Sequence, residues 1–280
     1  MKKILVATDL SARSDRALQR ALALANEHKA ELEVIHVVED DLPQNVVDRN
    51  EEQAREALDE QIGALVNEGD AAVTRSVIRG QDFAEIIKRS IDSNADLLVL
   101  GVTRHRSRNL FRGTTSERVI RLGRVPVLVV KQPCAGPYSR VLVGVDLSVH
   151  SHRALEFAVG FAPAAEFYCV HASHEPFIGF LGKETREELV ASEQKEFSGK
   201  LERDIADIVQ KTGMAKDHIH TMMKTGDPQS VICESADEMD IDLIVTGTHG
   251  RPAVAQAFLG SIAEDCLAES DYDVLVAKAW

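Results

Sequence analysis

Cysteine is scarce and scattered. The four residues, Cys134, Cys169, Cys233 and Cys266, form no C-x-x-C pair, so neither a zinc knuckle nor a redox couple is indicated and reduced, mostly buried thiols are expected. Long apolar runs are missing too. None approaches the roughly 20 residues a membrane helix needs, and Met1-Lys-Lys leads into a strand-like run rather than a cleavable leader, which makes the expected location cytoplasmic. Basic residues are outnumbered. A net charge of −13 argues against general nucleic-acid binding, which needs Lys and Arg to displace counterions from phosphates. Two common phosphate loops, G-x-x-x-x-G-K-[ST] and G-x-G-x-x-G, are absent. So are a nucleophile elbow and any recognisable pair of carboxylates, so no catalytic residue is assigned.

What is present is ordinary globular composition, 44% hydrophobic and 28% charged over 280 residues, enough for one large or two ordinary domains. The chain repeats itself. Lys3-Ile-Leu-Val-Ala-Thr-Asp9-Leu-Ser11 reads against Arg140-Val-Leu-Val-Gly-Val-Asp146-Leu-Ser148, and Arg16-Ala-Leu18 against Arg153-Ala-Leu155. Farther on, 95–101 matches 241–247, and Val127-Leu-Val129 matches Val274-Leu-Val276. A duplication follows, with domains at 1–135 and 136–280 and a linker in the Pro- and Gly-containing segment 131–139. Charge is divided unevenly: residues 1–137 hold 20 basic and 21 acidic side chains, residues 138–280 hold 12 and 24.

Within each copy, β-branched runs of strand length alternate with helical patterns. Strands are expected near 3–8, 31–38, 72–78, 96–101 and 126–130, and again near 140–145, 165–172, 218–224, 242–247 and 273–278. Strands apolar on both faces and separated by helices indicate a parallel sheet built from βαβ units. The fold class is therefore α/β: two tandem doubly wound, five-stranded parallel-sheet domains of Rossmann-like type, expected to pair through Val127–Val130 and Val274–Ala277 as an internal pseudo-dimer, with further homodimerisation open.

In such sheets a ligand lies beyond the carboxyl ends of the strands, at the switch point where strand order reverses. Those ends carry Asp9, His36-Val37, Gly80 and Gly101 in the first copy, and Asp146, His171-Ala172, Gly226 and Gly247 in the second. After the fourth strand of the second copy comes Gly247-x2-Gly250-x9-Gly260-Ser261, leading into a helical pattern. Ser261 is a candidate N-cap. The glycines either shape a loop or form an anion seat, in which exposed backbone and a helix N-terminus receive a phosphate. Asp146 is likewise either a helix cap or a ligand contact.

The glycine spacing at a strand end, together with the Asp after the first strand, resembles the ATP-binding signature of the universal stress protein family, and the likeness runs through both copies. The resemblance implies the adenine nucleotide alpha hydrolase-like form of the fold and a stress or regulatory protein binding ATP, AMP or ADP, with or without magnesium. It implies that Asp146 meets the nucleoside, that the backbone near Ala172 meets adenine, and that Gly247, Gly250, Gly260, Ser261 and Ile262 hold phosphates, with Gly226 at the neighbouring strand end. The corresponding first-copy positions are Asp9, Val37, Gly101, Gly113 and Thr114. There the pattern departs: the segment from Gly101 to Gly113 is one residue short and lacks the middle glycine, while Arg104, Arg106, Arg108, Arg112 and Arg118 crowd it. These arginines hold an anion from the side, reach the acidic second copy, or form a solvated basic face. The second copy is thus the expected nucleotide site. A non-nucleotide scaffold and a slow ATPase, with Arg251 as the nearest arginine finger, are the alternatives.

Three histidine groups, His150/His152, His171/His174 and His218/His220, offer ligand-like spacing without a third ligand, so no metal site is assigned. The charged segments 40–69 and 175–213 read as solvated helices. Within the latter, Pro176-Phe-Ile-Gly-Phe-Leu-Gly182 either covers the site, meets a partner, or packs on its own domain.

Overall fold

The structure, a computed structural model, describes residues 1–102, 113–173, 183–248 and 259–278. In the first copy the described elements are β1 (Lys3–Ala7), α1 (Ala12–His28), β2 (Glu31–Val38), α2 (Gln44–Leu65), β3 (Val73–Arg79), α3 (Asp82–Asp92), β4 (Leu97–Gly101), α4 (Thr115–Leu122) and β5 (Val127–Val130). In the second they are β6 (Arg140–Gly144), α5 (Val149–Phe161), β7 (Glu166–Ser173), α6 (Lys183–Thr212), β8 (Ile219–Thr225), α7 (Pro228–Glu238), β9 (Leu243–Gly247), α8 (Ser261–Glu269) and β10 (Asp273–Ala277).

The ten strands form one sheet in the order β3-β2-β1-β4-β5-β10-β9-β6-β7-β8. Every neighbouring pair is parallel except β5 with β10. At that junction Leu128 lies opposite Leu275. These two residues are equivalents in the internal repeat, so a pseudo-two-fold passes between them, as the duplicated edge strands lead one to expect. The expected insertion helices α2 and α6 are partly core: Val47, Ala54 and Leu58 of one, and Leu201, Ile205 and Ile208 of the other, are buried.

Two apolar layers cover the sheet, because alternate strand residues face opposite sides. Ile4 and Val6 of β1 join the core under α1, α2, α5 and α6, whereas Leu5 joins the core under α3, α4, α7 and α8. The switch points therefore fall between β1 and β4 and between β6 and β9.

The linker is held by a buried charge. Asp273, fully buried, accepts hydrogen bonds from Tyr138 Oη (2.5 Å), Lys131 N (2.7 Å) and Gln132 N (2.9 Å), with Arg20 Nε 3.7 Å away. The Arg20 guanidinium lies 4.1 Å from the centre of the Tyr138 ring. A buried carboxylate is tolerated when it is paired and hydrogen-bonded in this way, and here its partners tie α1 and the linker to β10.

Candidate functional site

At the β6/β9 switch point the turn after β6 is tightly specified. Leu147 adopts φ +60, matched by φ +59 at Leu10 in the first copy, a left-handed conformation that side chains disfavour. It turns the chain so that Asp146 Oδ1 accepts from Ser148 N (2.9 Å) and Asp146 N donates to Ser151 Oγ (3.3 Å). The helix cap is Ser148, whose side chain accepts from Ser151 N, so of the two roles open to Asp146 capping belongs to its neighbour.

His171 Nδ1 donates to Val145 O (2.7 Å), as His36 Nδ1 does to Thr8 O (2.9 Å). A carbonyl only accepts, so the proton sits on Nδ1. Each imidazole ties the carboxyl end of one strand to its neighbour. The His171 ring stacks on Phe197 of α6, 3.8 Å between centroids.

Gly247 has a packing reason to be glycine. A Cβ there would stand 2.9 Å from His150 Cβ and 3.0 Å from the His150 carbonyl, so the first turn of α5 lies directly on the end of β9. Thr248 O accepts from Gly260 N (2.8 Å), which ties the end of β9 to the start of α8. Gly250 lies outside the described residues, as do the arginines 104–112, Arg251, His174 and the 176–182 segment.

Ser261 is not the N-cap of α8. The cap is Gly260, which brings no side-chain acceptor, and Ser261 is the first helical residue. The sequence favoured the hydroxyl residue; the turn of the chain falls one position earlier, on the residue with least steric demand.

These pieces enclose a cavity of about 550 Å³, within the range usual for small-molecule sites. Asp146, Ala172, Gly247, Gly260, Ser261 and Ile262 line it, together with Gly144, Val145, Ser151, Val170, His171, Phe197, Pro228, Ile232, Thr246 and Ala263. Gly226, with φ +152 and Val231 close behind it, is not among the lining residues; it shapes the turn from β8 into α7. The lining combines apolar side chains such as Val170, Phe197 and Ile232 with the Asp146 carboxylate, the hydroxyls of Ser151, Thr246 and Ser261, and the N-terminus of α8. Phe197 escaped the sequence reading, although Phe197, Leu201, Ile205 and Ile208 fall on one helical stripe.

The first copy is arranged differently. Thr114 caps α4 by accepting from Glu117 N (3.1 Å), while Glu117 Oε2 accepts from Gly113 N (3.3 Å), one residue before the cap, in a variant of the capping box. Thr115 Oγ1 donates to the Asp82 carboxylate. Both helices carry a glutamate in the first turn, Glu117 and Glu264, but among the described residues only α4 also meets a carboxylate from another helix; Pro228 takes the place of Asp82 as first residue of its helix. Gly101 approaches Ser14 Cα as Gly247 approaches His150. Asp9 accepts from Ser11 N (3.0 Å) and from Ser14 Oγ; burial pushes its carboxyl up, but hydrogen bonds from Ser11 and Ser14 and the charge of Arg13 outweigh it and hold it below the usual range. Val37 lines a separate cavity of about 450 Å³ beside α2, with Leu10, His36 and Leu42. Arg118 lies over Phe83, 4.9 Å from the ring centre.

The sequence model of the Universal stress protein family matches the chain twice, over residues 1–131 and 137–278. The chain belongs to the universal stress protein family. A universal stress protein of Methanocaldococcus jannaschii is 31% identical over 144 residues, half of this chain and 82% of that protein, and one from Thermus aquaticus is 32% identical over 143 residues, half of this chain and 99% of that protein. The crystal structure of a universal stress protein from Archaeoglobus fulgidus superposes with a TM-score of 0.68 at 26% identity, covering 99% of this chain and 96% of the other. The short relatives match half of the chain and the longer structure matches all of it, in keeping with two universal stress protein repeats in one polypeptide.

Among the described residues no group of three or more His, Cys, Asp or Glu is placed to hold a metal ion, and no helix is long and apolar enough to cross a membrane. His218 and His220 flank one carboxylate, Glu166, at 3.3 and 2.7 Å, and His152 lies 3.7–3.8 Å from Asp204 and Asp207.

Proposed function

We propose that this universal stress protein is a cytoplasmic stress or regulatory protein of two domains, 1–135 and 136–280, that binds an adenine nucleotide in the second. The observation that carries this is the convergence of Asp146, apolar side chains and the glycine-capped N-terminus of α8 on one cavity at the switch point. A nucleotide needs those three surroundings: hydrogen-bond acceptors for its sugar hydroxyls, apolar surface for its base, and backbone donors with a positive dipole end for its phosphates.

The residues fit the group. The cavity is bounded by glycines at 144, 247 and 260, which leave backbone at its rim. In this reading Asp146 binds the nucleoside, Ala172 with Phe197 and Ile232 bounds the base, and Gly247, Gly250, Gly260, Ser261 and Ile262 receive phosphates. ATP, ADP and AMP share this recognition. The first copy is a weak or altered site, because Asp82, where the second copy has Pro228, already supplies negative charge at the α4 N-terminus. Nucleotide occupancy would select one arrangement of the 247–260 segment, a population shift in place of turnover.

The test is calorimetric titration of ATP, ADP and AMP into the intact chain and into Gly250→Val and Gly260→Val. Loss of binding in both variants is expected. Unchanged affinity in the two variants overturns the assignment.

A further inference from the structure

The two lysines that follow the last strands, Lys131 after β5 and Lys278 after β10, are equivalents in the internal repeat, and each reaches across the pseudo-two-fold into the other copy. Lys131 Nζ donates to Cys266 O (2.9 Å), Ser270 O (2.6 Å) and Ser270 Oγ (3.2 Å) at the carboxyl end of α8. Lys278 Nζ donates to Ile120 O in the last turn of α4. The arrangement is reciprocal: the cation of each copy closes the carbonyl end of the other copy's α4 or α8, the helix whose amino end is the anion seat.

Lys131 is built into place. It is 8% exposed, its backbone N–H is held by Asp273 and its carbonyl accepts from Arg16 Nη1 (2.8 Å). The charged and titratable groups facing its ammonium are Asp271 just before β10, Asp273 at its start, Cys266 on α8 and Cys233 on α7. Orphan carbonyls at a helix end require donors, and a cation there complements the negative end of the macrodipole.

We infer that Lys131, contributed by the first copy, is a positioning residue for the nucleotide site of the second: by holding the carbonyl end of α8 it fixes the height and tilt of the amino end that receives phosphate. The inference rests on the nucleotide reading above. With nine residues, α8 is a rigid rod of about 14 Å, so a shift at Ser270 is carried to Ser261. Affinity in one copy therefore depends on strand pairing with the other, and a half-chain lacking Lys131 would carry the same cavity with a looser floor.

The experiment uses the intact chain and ATP as the probe. At pH 7, Lys131→Met is expected to weaken binding about three- to tenfold, the range that a charged helix-end contact supplies, while Lys131→Arg restores it and Lys278→Met, which releases α4 alone, leaves it unchanged. Burial pushes the Lys131 amine down to about 8, so wild-type affinity should fall between pH 7 and 9 and that of Lys131→Met should not. Equal affinity in wild type and Lys131→Met, or an equal loss in Lys278→Met, overturns the inference. Failure of wild type itself to bind ATP overturns the nucleotide reading instead. In the ligand-free chain, amide exchange then decides the cross-contact: faster exchange of α8 in Lys131→Met and of α4 in Lys278→Met upholds it, and unchanged exchange in both removes it.

Discussion

Substituting Gly247 by alanine isolates the packing that closes the second-copy site. The added methyl would lie 2.9 Å from His150 Cβ and 3.0 Å from both atoms of its carbonyl, closer than unbonded carbon atoms approach at about 3.5–4.0 Å. Two of the three obstacles are backbone, so no side chain can rotate away; the first turn of α5 must move by several tenths of an ångström, carrying Ser151 and the bonds it makes to Asp146 and Ser148. Overpacking of this kind costs about 1–3 kcal/mol. The control is Gly160→Ala near the end of the same helix, where nothing lies within 4 Å of the new Cβ; there the gain in helix propensity should stabilise by roughly 0.5–1 kcal/mol. Urea denaturation followed by circular dichroism measures both. Opposite signs are expected, with Gly247→Ala also losing nucleotide affinity. Gly247→Ala at or above wild-type stability would refute the reasoning and return Gly247 to a purely ligand-facing role.

Other outcomes follow from the same contacts. Asp82→Asn combined with Glu117→Gln removes the carboxylates at the α4 N-terminus; the variant should lose about 1 kcal/mol through the weakened capping box and gain a second, weak site for ATP, read as a second equivalent in calorimetry, whereas an unaltered stoichiometry counts against self-occupation of the first-copy seat. The Asp9 carboxyl, held low in the folded chain by Ser11, Ser14 and Arg13, contributes stability above its unfolded value of 3.8 and loses it as pH falls through the lower folded value; Asp9→Asn should flatten that acid-side slope, and an unchanged slope contradicts the assignment. Lys131 and Lys278 are both pushed down to about 8 by burial, while the unfolded chain keeps those protons up to about 10.5. The unfolded state thus binds more protons between these values, and stability should rise with pH from 8 towards 10. The denaturation midpoint of wild type should therefore rise relative to that of Lys131→Met over that interval; parallel midpoints would contradict it.

The strand positions were legible in the sequence because apolar β-branched runs such as Lys3–Ala7 and Val127–Val130 are buried on both faces and read without ambiguity. The pairing of β5 with β10 followed from the repeat alone. Capping was read one residue late at Ser261, since side-chain preference and backbone turn disagree there. Phe197 was missed for a different reason: its helix is charged overall, and one aromatic on a stripe otherwise directed at the core does not announce which end of that stripe meets a cavity. The self-capping of α4 was also hidden. Thr114 and Glu117 are spaced as a capping box, but Asp82 comes from a helix 33 residues earlier, and only the tertiary fold sets it beside Thr115. Lys131 read as linker for the same reason, its acceptors lying 135 and 139 residues away.

The central claim is tested most directly by mass spectrometry of the intact chain, purified gently without added nucleotide, first under native conditions and then denatured, with Asp146→Ala beside it. One adenine nucleotide per chain in the wild type, released on denaturation and missing from Asp146→Ala, is the expected result. A wild-type chain that carries no nucleotide and takes up none from millimolar ATP would contradict the account.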